Sequence, residues 1–185
     1  MKKFASRRMG FTLVELLIVI VVIGILSAMM MLSSSEAVAT AKATAIISDL
    51  RNLKTAALAY FADHADKYIT GATDQNKGAS ISSTDRSDEW DEIMNYLNGK
   101  DFPNKDSYKL QAADDGSTWY ALCDIYGKNG MFKKGSSDAT AVTKKLAGRA
   151  KSVGLWAARY KSSETKQPFD GTTGKAPECV YMIVQ

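Results

Sequence analysis

The 185-residue sequence has very little of the material from which catalytic and metal sites are built. It contains one histidine, His64, and two cysteines, Cys123 and Cys179. No credible Ser–His–Asp or Cys–His set can be assembled around a single histidine, and the sequence lacks a phosphate-binding loop and a dinucleotide-binding glycine motif. We therefore predict that the protein is not an enzyme and that it carries no cofactor.

Candidate metal ligands are equally scarce. His64 has Asp63 and Asp66 beside it in the sequence, but without further ligands a surface or interface histidine is the favoured interpretation. Asp114-Asp115-Gly116 could contribute to a calcium site, but the segment lacks the alternating ligand spacing of an EF-hand and is typical of a turn. We expect no bound metal.

The sequence has a single long hydrophobic run, from Phe11 to Leu32. As a helix this run is about 33 Å long, which is enough to cross the hydrocarbon core of a bilayer. Four basic residues and no acidic residue precede it, namely Lys2, Lys3, Arg7 and Arg8. By the positive-inside rule the N-terminus stays in the cytoplasm and the rest of the chain is exported.

Outside the first ten residues, here called the leader, the chain carries no excess of either charge. Of the 24 basic residues four lie in the leader, which leaves 20 against the 20 acidic residues. Because the remainder is near neutral, it does not generate the positive field that nucleic-acid binding needs, and we do not expect nucleic acid to be a partner. One basic and aromatic stretch, residues 144–161, could contact DNA or another anionic surface, although a solvated helix face is the favoured interpretation.

Both cysteines lie in the part of the chain that we expect to be exported. In an oxidising compartment we expect Cys123 and Cys179 to form a disulfide, which would stabilise the fold by about 4 kcal/mol on the chain-entropy model. The alternative is two separate buried thiols. The spacing contains no CxxC motif, so neither a redox site nor a zinc site is indicated.

The start of the hydrophobic run carries a recognisable signal. The residues Gly10-Phe11-Thr12-Leu13-Val14-Glu15, with a basic leader before them and an apolar helix after them, closely resemble the class III signal of type IV pilins and the related pseudopilins. A secretory signal peptide fits poorly because the run is too long and Ser27-Ala28-Met29 is a poor cleavage site. An uncleaved membrane anchor fits the length and the charges but leaves Gly10 and Glu15 unexplained.

The resemblance implies a defined maturation and organisation. A prepilin peptidase removes the leader, residues 1–10, by cutting between Gly10 and Phe11, and Phe11 is then N-methylated. Residues 11–32 form the transmembrane and assembly half of the N-terminal helix. Residues 33–185 form a globular pilin-like domain that includes the second half of the helix. The implied partners are the cytoplasmic membrane, an inner-membrane assembly platform and further copies of the chain in a homo-oligomeric filament.

Glu15 is the one charged residue of the hydrophobic run. A carboxylate near the centre of a bilayer costs about 2.5–3.5 kcal/mol on insertion scales, and less near an interface. Once the leader is removed, Glu15 lies in the first helical turn, where the helix dipole favours an acid. In a bundle of helices it would be buried and would need a cation, and the new amine of Phe11 is nearby. The resemblance implies that this pairing sets the register between subunits, so we interpret Glu15 as an assembly residue.

The helix is expected to continue beyond the membrane segment. Residues 25–70 contain neither proline nor glycine, and apolar residues recur at spacings of three and four, which predicts one amphipathic helix from about Thr12 to Ala65. The predicted inward stripe is Ala37, Val38, Ala41, Ala45, Leu50, Leu53, Ala57, Leu58, Phe61 and Ala65. The alternative is a break into two helices at Ser33-Ser34-Ser35.

The remaining sequence predicts a small mixed domain. Residues 70–86 are typical of a loop, Ser87 is a candidate N-cap for a short helix, and residues 138–152 predict another helix. Strands are predicted at 108–112, 118–126 and 178–184, the first two forming a hairpin. The fold class is therefore α+β, with a long N-terminal helix packed on a small antiparallel sheet, as the resemblance to pilins also implies.

We accordingly expect a type IV pilin-like structural subunit that assembles through its N-terminal helix into an extracellular filament. It would be a single-pass protein of the cytoplasmic membrane before it reaches the cell surface. Two alternatives remain open: a type II secretion pseudopilin of a periplasmic pseudopilus, and a minor tip pilin that binds DNA or a surface through residues 144–161.

Overall fold

The computed structural model describes residues 11–65, 78–97, 104–113, 116, 118–126, 129–133, 135–158 and 179–184. The chain divides into two compact units, Met1–Val38 (unit 1) and Ala39–Gln185 (unit 2). The predicted α+β class is confirmed, because a long N-terminal helix accompanies a small antiparallel sheet.

The N-terminal helix, α1, extends from Leu13 to Asp63. Since no glycine or proline follows Gly24 within it, every residue can keep the helical backbone and donate to the carbonyl four residues earlier. The prediction of one helix rather than two is therefore confirmed. The three serines at 33–35 do not end the helix, in keeping with their mild helix propensity.

Unit 2 contains a five-stranded sheet in the order β1-β2-β3-β5-β4, in which all neighbours are antiparallel. The strands are β1 Ser80–Ser82, β2 Tyr108–Ala112, β3 Trp119–Asp124, β4 Trp156–Ala158 and β5 Cys179–Ile183. The predicted hairpin is present as β2 and β3, with Ala112 opposite Trp119. Its turn contains Gly116 at φ 71°, a left-handed conformation that glycine adopts without strain.

Two further helices belong to unit 2, α2 at Ser87–Asn95 and α3 at Ser137–Val153. The predicted N-cap of α2 was Ser87, but the capping position is Arg86, which has φ 53° and makes no side-chain cap. In α3, Ser136 is the N-cap and accepts a hydrogen bond from the Ala139 amide at 3.2 Å, as serine does at helix starts. A short 3₁₀ helix, Lys105–Ser107, precedes β2.

The core of unit 2 contains side chains from α1, α2, α3 and the sheet. Leu50 and Phe61 of α1 are fully buried, and the Phe61 ring lies 5.1 Å from the ring of Trp119 on β3. Leu110 on β2 and Leu146 on α3 complete the same cluster. Burying one such side chain stabilises a fold by about 1.5–3 kcal/mol, so unit 2 has an internal source of stability.

The predicted stripe on α1 is correct only in its later part. Leu50, Leu53, Ala57 and Phe61 are buried as predicted, whereas the predicted residues Ala37, Val38, Ala41, Ala45, Leu58 and Ala65 are exposed. Their places in the core are taken by Ala39, Ala43, Ile46 and Ile47. Up to residue 45 the error arises because alanines occur on both sides of the helix, so spacing alone does not identify the inward side. The prediction also omitted Ile46 and Ile47, whose large side chains mark that side.

Two strands were not predicted. β1 lies in a segment whose glycine, serine and threonine content predicted a loop, and β4 lies in the basic and aromatic stretch. Each strand has three residues and lies at an edge of the sheet, where it needs only one pairing neighbour. Strands this short have too few residues for alternation to be detected.

The predicted disulfide between Cys123 and Cys179 is not confirmed, since both thiols are free and buried. Cys123 on β3 pairs with Val180, and Asp124 pairs with Cys179 on β5. Residues that are directly opposite in a sheet share a face, while successive residues alternate. The two cysteines therefore point to opposite faces of the sheet, and side chains that point apart cannot be bridged unless the backbone moves.

Candidate functional site: the first half of α1

The first half of α1 exposes an unusual amount of apolar surface. Every large apolar residue that the structure describes between Phe11 and Met30 is exposed over 48–88% of its area. By length and composition this part of α1 is able to cross a membrane, and its most apolar window has no buried share. A surface of this size is unfavourable in water, so the segment is suited to lipid or to other apolar helices.

Thr12 and Glu15 form a capping box at the start of this helix. Glu15 Oε2 accepts hydrogen bonds from the Thr12 amide and from Thr12 Oγ1, both at 2.8 Å. In return Thr12 Oγ1 accepts from the Glu15 amide at 3.2 Å. This reciprocal arrangement satisfies amide groups that have no partner within the helix. Glu15 thus has a local structural role in a single chain.

The T-x-x-E spacing of a capping box is present in the sequence, but the prediction for Glu15 rested on its charge and did not include Thr12. Phe11, the residue before the cap, is 88% exposed. Gly10 lies outside the described residues, and so does the rest of the leader. Cleavage between Gly10 and Phe11, methylation of Phe11 and the pairing of Glu15 with the Phe11 amine stay predictions.

His64 lines an open cleft of about 400 Å³ in unit 2, together with Tyr60, Glu92, Asn95 and Tyr96. His64 Nδ1 lies 2.9 Å from the Tyr60 carbonyl oxygen, and the two rings are 4.3 Å apart. Tyr96 donates a hydrogen bond to Asp63, and this bond raises the pKa of the Tyr96 hydroxyl.

Within the described residues no three acidic, histidine or cysteine side chains form a metal-binding group. Asp66, Asp114 and Asp115 lie outside those residues.

The basic stretch 144–161 is not one helix face, as α3 ends at Val153 and Gly154 caps it at φ 70°. Lys144, Arg149 and Lys151 are exposed on α3, and Arg149 donates to Thr44 Oγ1 of α1 at 2.7 Å. Trp156 lies on β4. The later members of the stretch, Arg159, Tyr160 and Lys161, lie outside the described residues.

The buried titratable groups of unit 2 are suited to structure rather than chemistry. Tyr108 donates to Asp49 Oδ2 at 2.9 Å, and burial raises the pKa of its hydroxyl. Burial also raises the pKa of the Cys123 thiol. A thiol kept protonated in this way is a poor nucleophile and a poor metal ligand.

The comparison with protein families gives one match. Residues 6–31 match the model of the prokaryotic N-terminal methylation motif, which is typical of type IV pilins and pseudopilins and confirms the resemblance to the class III signal. No curated protein and no solved structure matches the chain. The matched residues cover the end of the leader and most of the exposed first half of α1.

Proposed function

We propose that this chain is a type IV pilin-like structural subunit that assembles through the first half of α1 into an extracellular filament. The observation that carries the proposal is the coincidence of the methylation motif with the part of α1, up to Met30, in which every large apolar residue that the structure describes is exposed. Signals of this class imply processing by a prepilin peptidase and filament assembly in general. Families with this motif are structural rather than enzymatic.

The proposed maturation follows the order of the residues. The peptidase cuts between Gly10 and Phe11, the leader stays in the cytoplasm, and the new amine of Phe11 is methylated. The apolar segment then holds the subunit in the cytoplasmic membrane until the assembly platform extracts it. The positive-inside rule supports this orientation, since all four basic residues of the leader precede the run.

Assembly moves the exposed apolar surface from lipid to neighbouring helices. Lipid and helix surfaces are similarly apolar, so little of the driving force comes from the hydrophobic effect, and close packing and polar contacts decide the arrangement. Glu15 is the one charged side chain in the sequence from Phe11 to Leu32. We infer that its carboxylate, already oriented by Thr12, pairs with the Phe11 amine of a neighbouring subunit.

The experiment compares three chains in the native host: wild type, Glu15→Ala and Glu15→Gln. Glutamine keeps an oxygen that can complete the capping box but removes the charge. We expect both variants to insert into the membrane normally. Their yield of surface fibres should fall by about tenfold or more, since the buried amine loses its counter-ion. Normal fibre yield from Glu15→Gln would contradict the charge-pairing role.

Deletion of the gene separates this role from its two alternatives. If wild-type cells carry long surface fibres that contain the chain, and cells with the deletion carry no fibres, the chain is a structural subunit of a filament. Persistence of fibres with loss of exoprotein release would instead identify a pseudopilin. Persistence of fibres with loss of DNA uptake or adhesion would identify a minor tip subunit.

A further inference from the structure

We propose that the exposed basic face of α3 in one copy docks into the cleft beside α2 of a second copy. This inference rests on the proposed function, because it describes how the domains of neighbouring subunits contact each other in the filament. The cleft would receive lysine or arginine side chains, and two surfaces of the same chain would thus recognise each other.

The donor surface is the outer side of α3. This helix carries four basic residues, Lys144, Lys145, Arg149 and Lys151, against a single acidic residue, Asp138. Asp138 is already paired with Lys42 of α1 at 3.1 Å, so it does not neutralise the others. Lys144 and Lys151 are exposed and extend a positive surface into solvent.

The acceptor surface is the cleft lined by Tyr60, His64, Glu92, Asn95 and Tyr96. Tyr96 is 40% exposed and its ring can attract a cation, and the carboxylate of Glu92 and the amide oxygen of Asn95 can accept hydrogen bonds from it. The adjoining helix α2 carries four acidic residues and no basic one. Of these, Asp88, Asp91 and Glu92 are exposed, whereas Glu89 is paired with Arg86.

These two surfaces cannot neutralise each other within one chain. Arg149 of α3 binds α1 at Thr44, and Tyr96 at the edge of the cleft binds α1 at Asp63. Residues 44 and 63 are about 28 Å apart along the helix at about 1.5 Å per residue. Charges on solvent-exposed surfaces are screened beyond about 8–10 Å at physiological salt. The acidic residues beside the cleft therefore do not neutralise Lys144 and Lys151 of the same copy.

The distance between the donor and acceptor surfaces also determines which kind of assembly the docking would form. Because the donor and acceptor surfaces do not overlap, one copy can donate at α3 and accept at its cleft at the same time. Such a heterologous contact extends into an open row unless its rotation closes a ring. The contact thus suits a filament better than a closed dimer.

The test is a charge exchange in the full-length chain, with surface fibres as the readout. One variant reverses the donor (Lys144→Glu, Lys151→Glu), one reverses the acceptor (Asp91→Lys, Glu92→Lys), and the third combines all four changes. We expect each reversal alone to reduce fibre yield by about tenfold, because like charges meet at the contact, and the combined variant to recover most of the yield. The matched control, Lys144→Arg with Lys151→Arg, should assemble like wild type.

A reversal with normal fibre yield, or a combined variant no better than either reversal, would overturn the proposal. It would also be overturned if the donor reversal abolished binding to anionic vesicles or to DNA while leaving fibres unchanged, since the basic face would then serve those partners. Unchanged melting temperatures in all variants verify that the domain is folded. The proposed function fails separately, through absence of the wild-type chain from fibres.

A second measurement locates the contact. The variant Lys144→Cys with Glu92→Cys, in a background with Cys123→Ser and Cys179→Ser, should form crosslinked ladders in intact fibres under mild oxidation. Each single-cysteine variant in the same background should give at most dimers. Absence of ladders from fibres that assemble normally would contradict the docking geometry.

Discussion

Both halves of α1 carry many apolar residues, but these residues have opposite surroundings. Leu17 in unit 1 is 51% exposed, whereas Leu50 in unit 2 is fully buried. The second half is held by a core that the chain supplies itself, including Phe61 against Trp119. The first half has no such core in the described structure, and its exposed apolar surface is suited to lipid or to other apolar helices. One helix thus contributes buried side chains to the domain core and also presents an apolar surface that other molecules can cover.

The family match follows the same division. The methylation motif ends at residue 31, within the exposed half, and no curated protein or solved structure matches the remainder. Under the proposed function, shared machinery recognises the first half, whereas the domain has only to fold and to present its own surface.

The strongest test of the comparison replaces leucine in each half. Leu50→Ala should lower the free energy of unfolding of the domain by about 2–5 kcal/mol, because it removes buried contacts and leaves a cavity. Leu17→Ala should leave it unchanged. The measurement is denaturant unfolding in detergent, followed by tryptophan fluorescence, for which Trp90 and Trp119 are buried reporters. An equal loss from both substitutions would contradict the division into two units.

The sequence predicted the elements of this structure better than their inward faces. The continuous helix, the hairpin and both shorter helices followed from spacing and from the absence of helix breakers. Between residues 37 and 45 alanines lie on both sides of α1 and change the hydrophobic pattern too little, whereas Ile46 and Ile47 mark the inward side and were omitted from the predicted stripe. Glu15 was identified through its chemistry, but its bond to Thr12 was missed. The opposite orientations of Cys123 and Cys179 depend on strand register, which is set by tertiary packing.

A second test concerns which side of α1 faces the core between residues 37 and 47. Ala43 is fully buried and Ala45 is exposed. Ala43→Leu should destabilise the domain by about 1–3 kcal/mol through overpacking, while Ala45→Leu should change stability by less than about 0.5 kcal/mol. Thermal unfolding of both variants in the same detergent measures the difference. The reverse ranking would restore the originally predicted stripe.

A third test uses alkaline pH, which acts on the buried groups of unit 2. The pKa values of Cys123 and Tyr108 are raised by burial above their ordinary values of 9.0 and 10.0. The folded state therefore keeps both protons while the unfolded state releases them, so their contribution to stability is complete below pH 9 and declines above it. A loss of about 1–2 kcal/mol is expected by pH 10, at about 1.4 kcal/mol per pH unit for each released proton.

Denaturant unfolding between pH 8 and 10 measures this slope, and Cys123→Ala is the control. Because alanine has no proton to release, the variant should lose stability less steeply between pH 9 and 10 than wild type. Parallel curves for the two chains would show that Cys123 does not contribute to alkaline sensitivity.

A smaller effect is expected at the start of α3. Ser136→Ala removes the hydroxyl that accepts from the Ala139 amide and should cost about 0.5–2 kcal/mol. Thr140→Ala, on an exposed position of the same first turn, is the matched control and should have little effect. Equal thermal shifts for the two variants would show that the cap is not what stabilises this end of the helix.

The smallest effect is expected from a reducing agent, which tests whether unit 2 is stable without a disulfide. Because Cys123 and Cys179 point to opposite faces, a reducing agent should leave the denaturation midpoint unchanged, whereas losing a disulfide would cost about 4 kcal/mol. Asp124→Cys supplies a positive control, since residue 124 is directly opposite Cys179 and on the same face. After oxidation this variant should show a midpoint that depends on reductant. If wild type behaves in the same way, the register between β3 and β5 differs from the one described, and residues on the two faces of the sheet must exchange places.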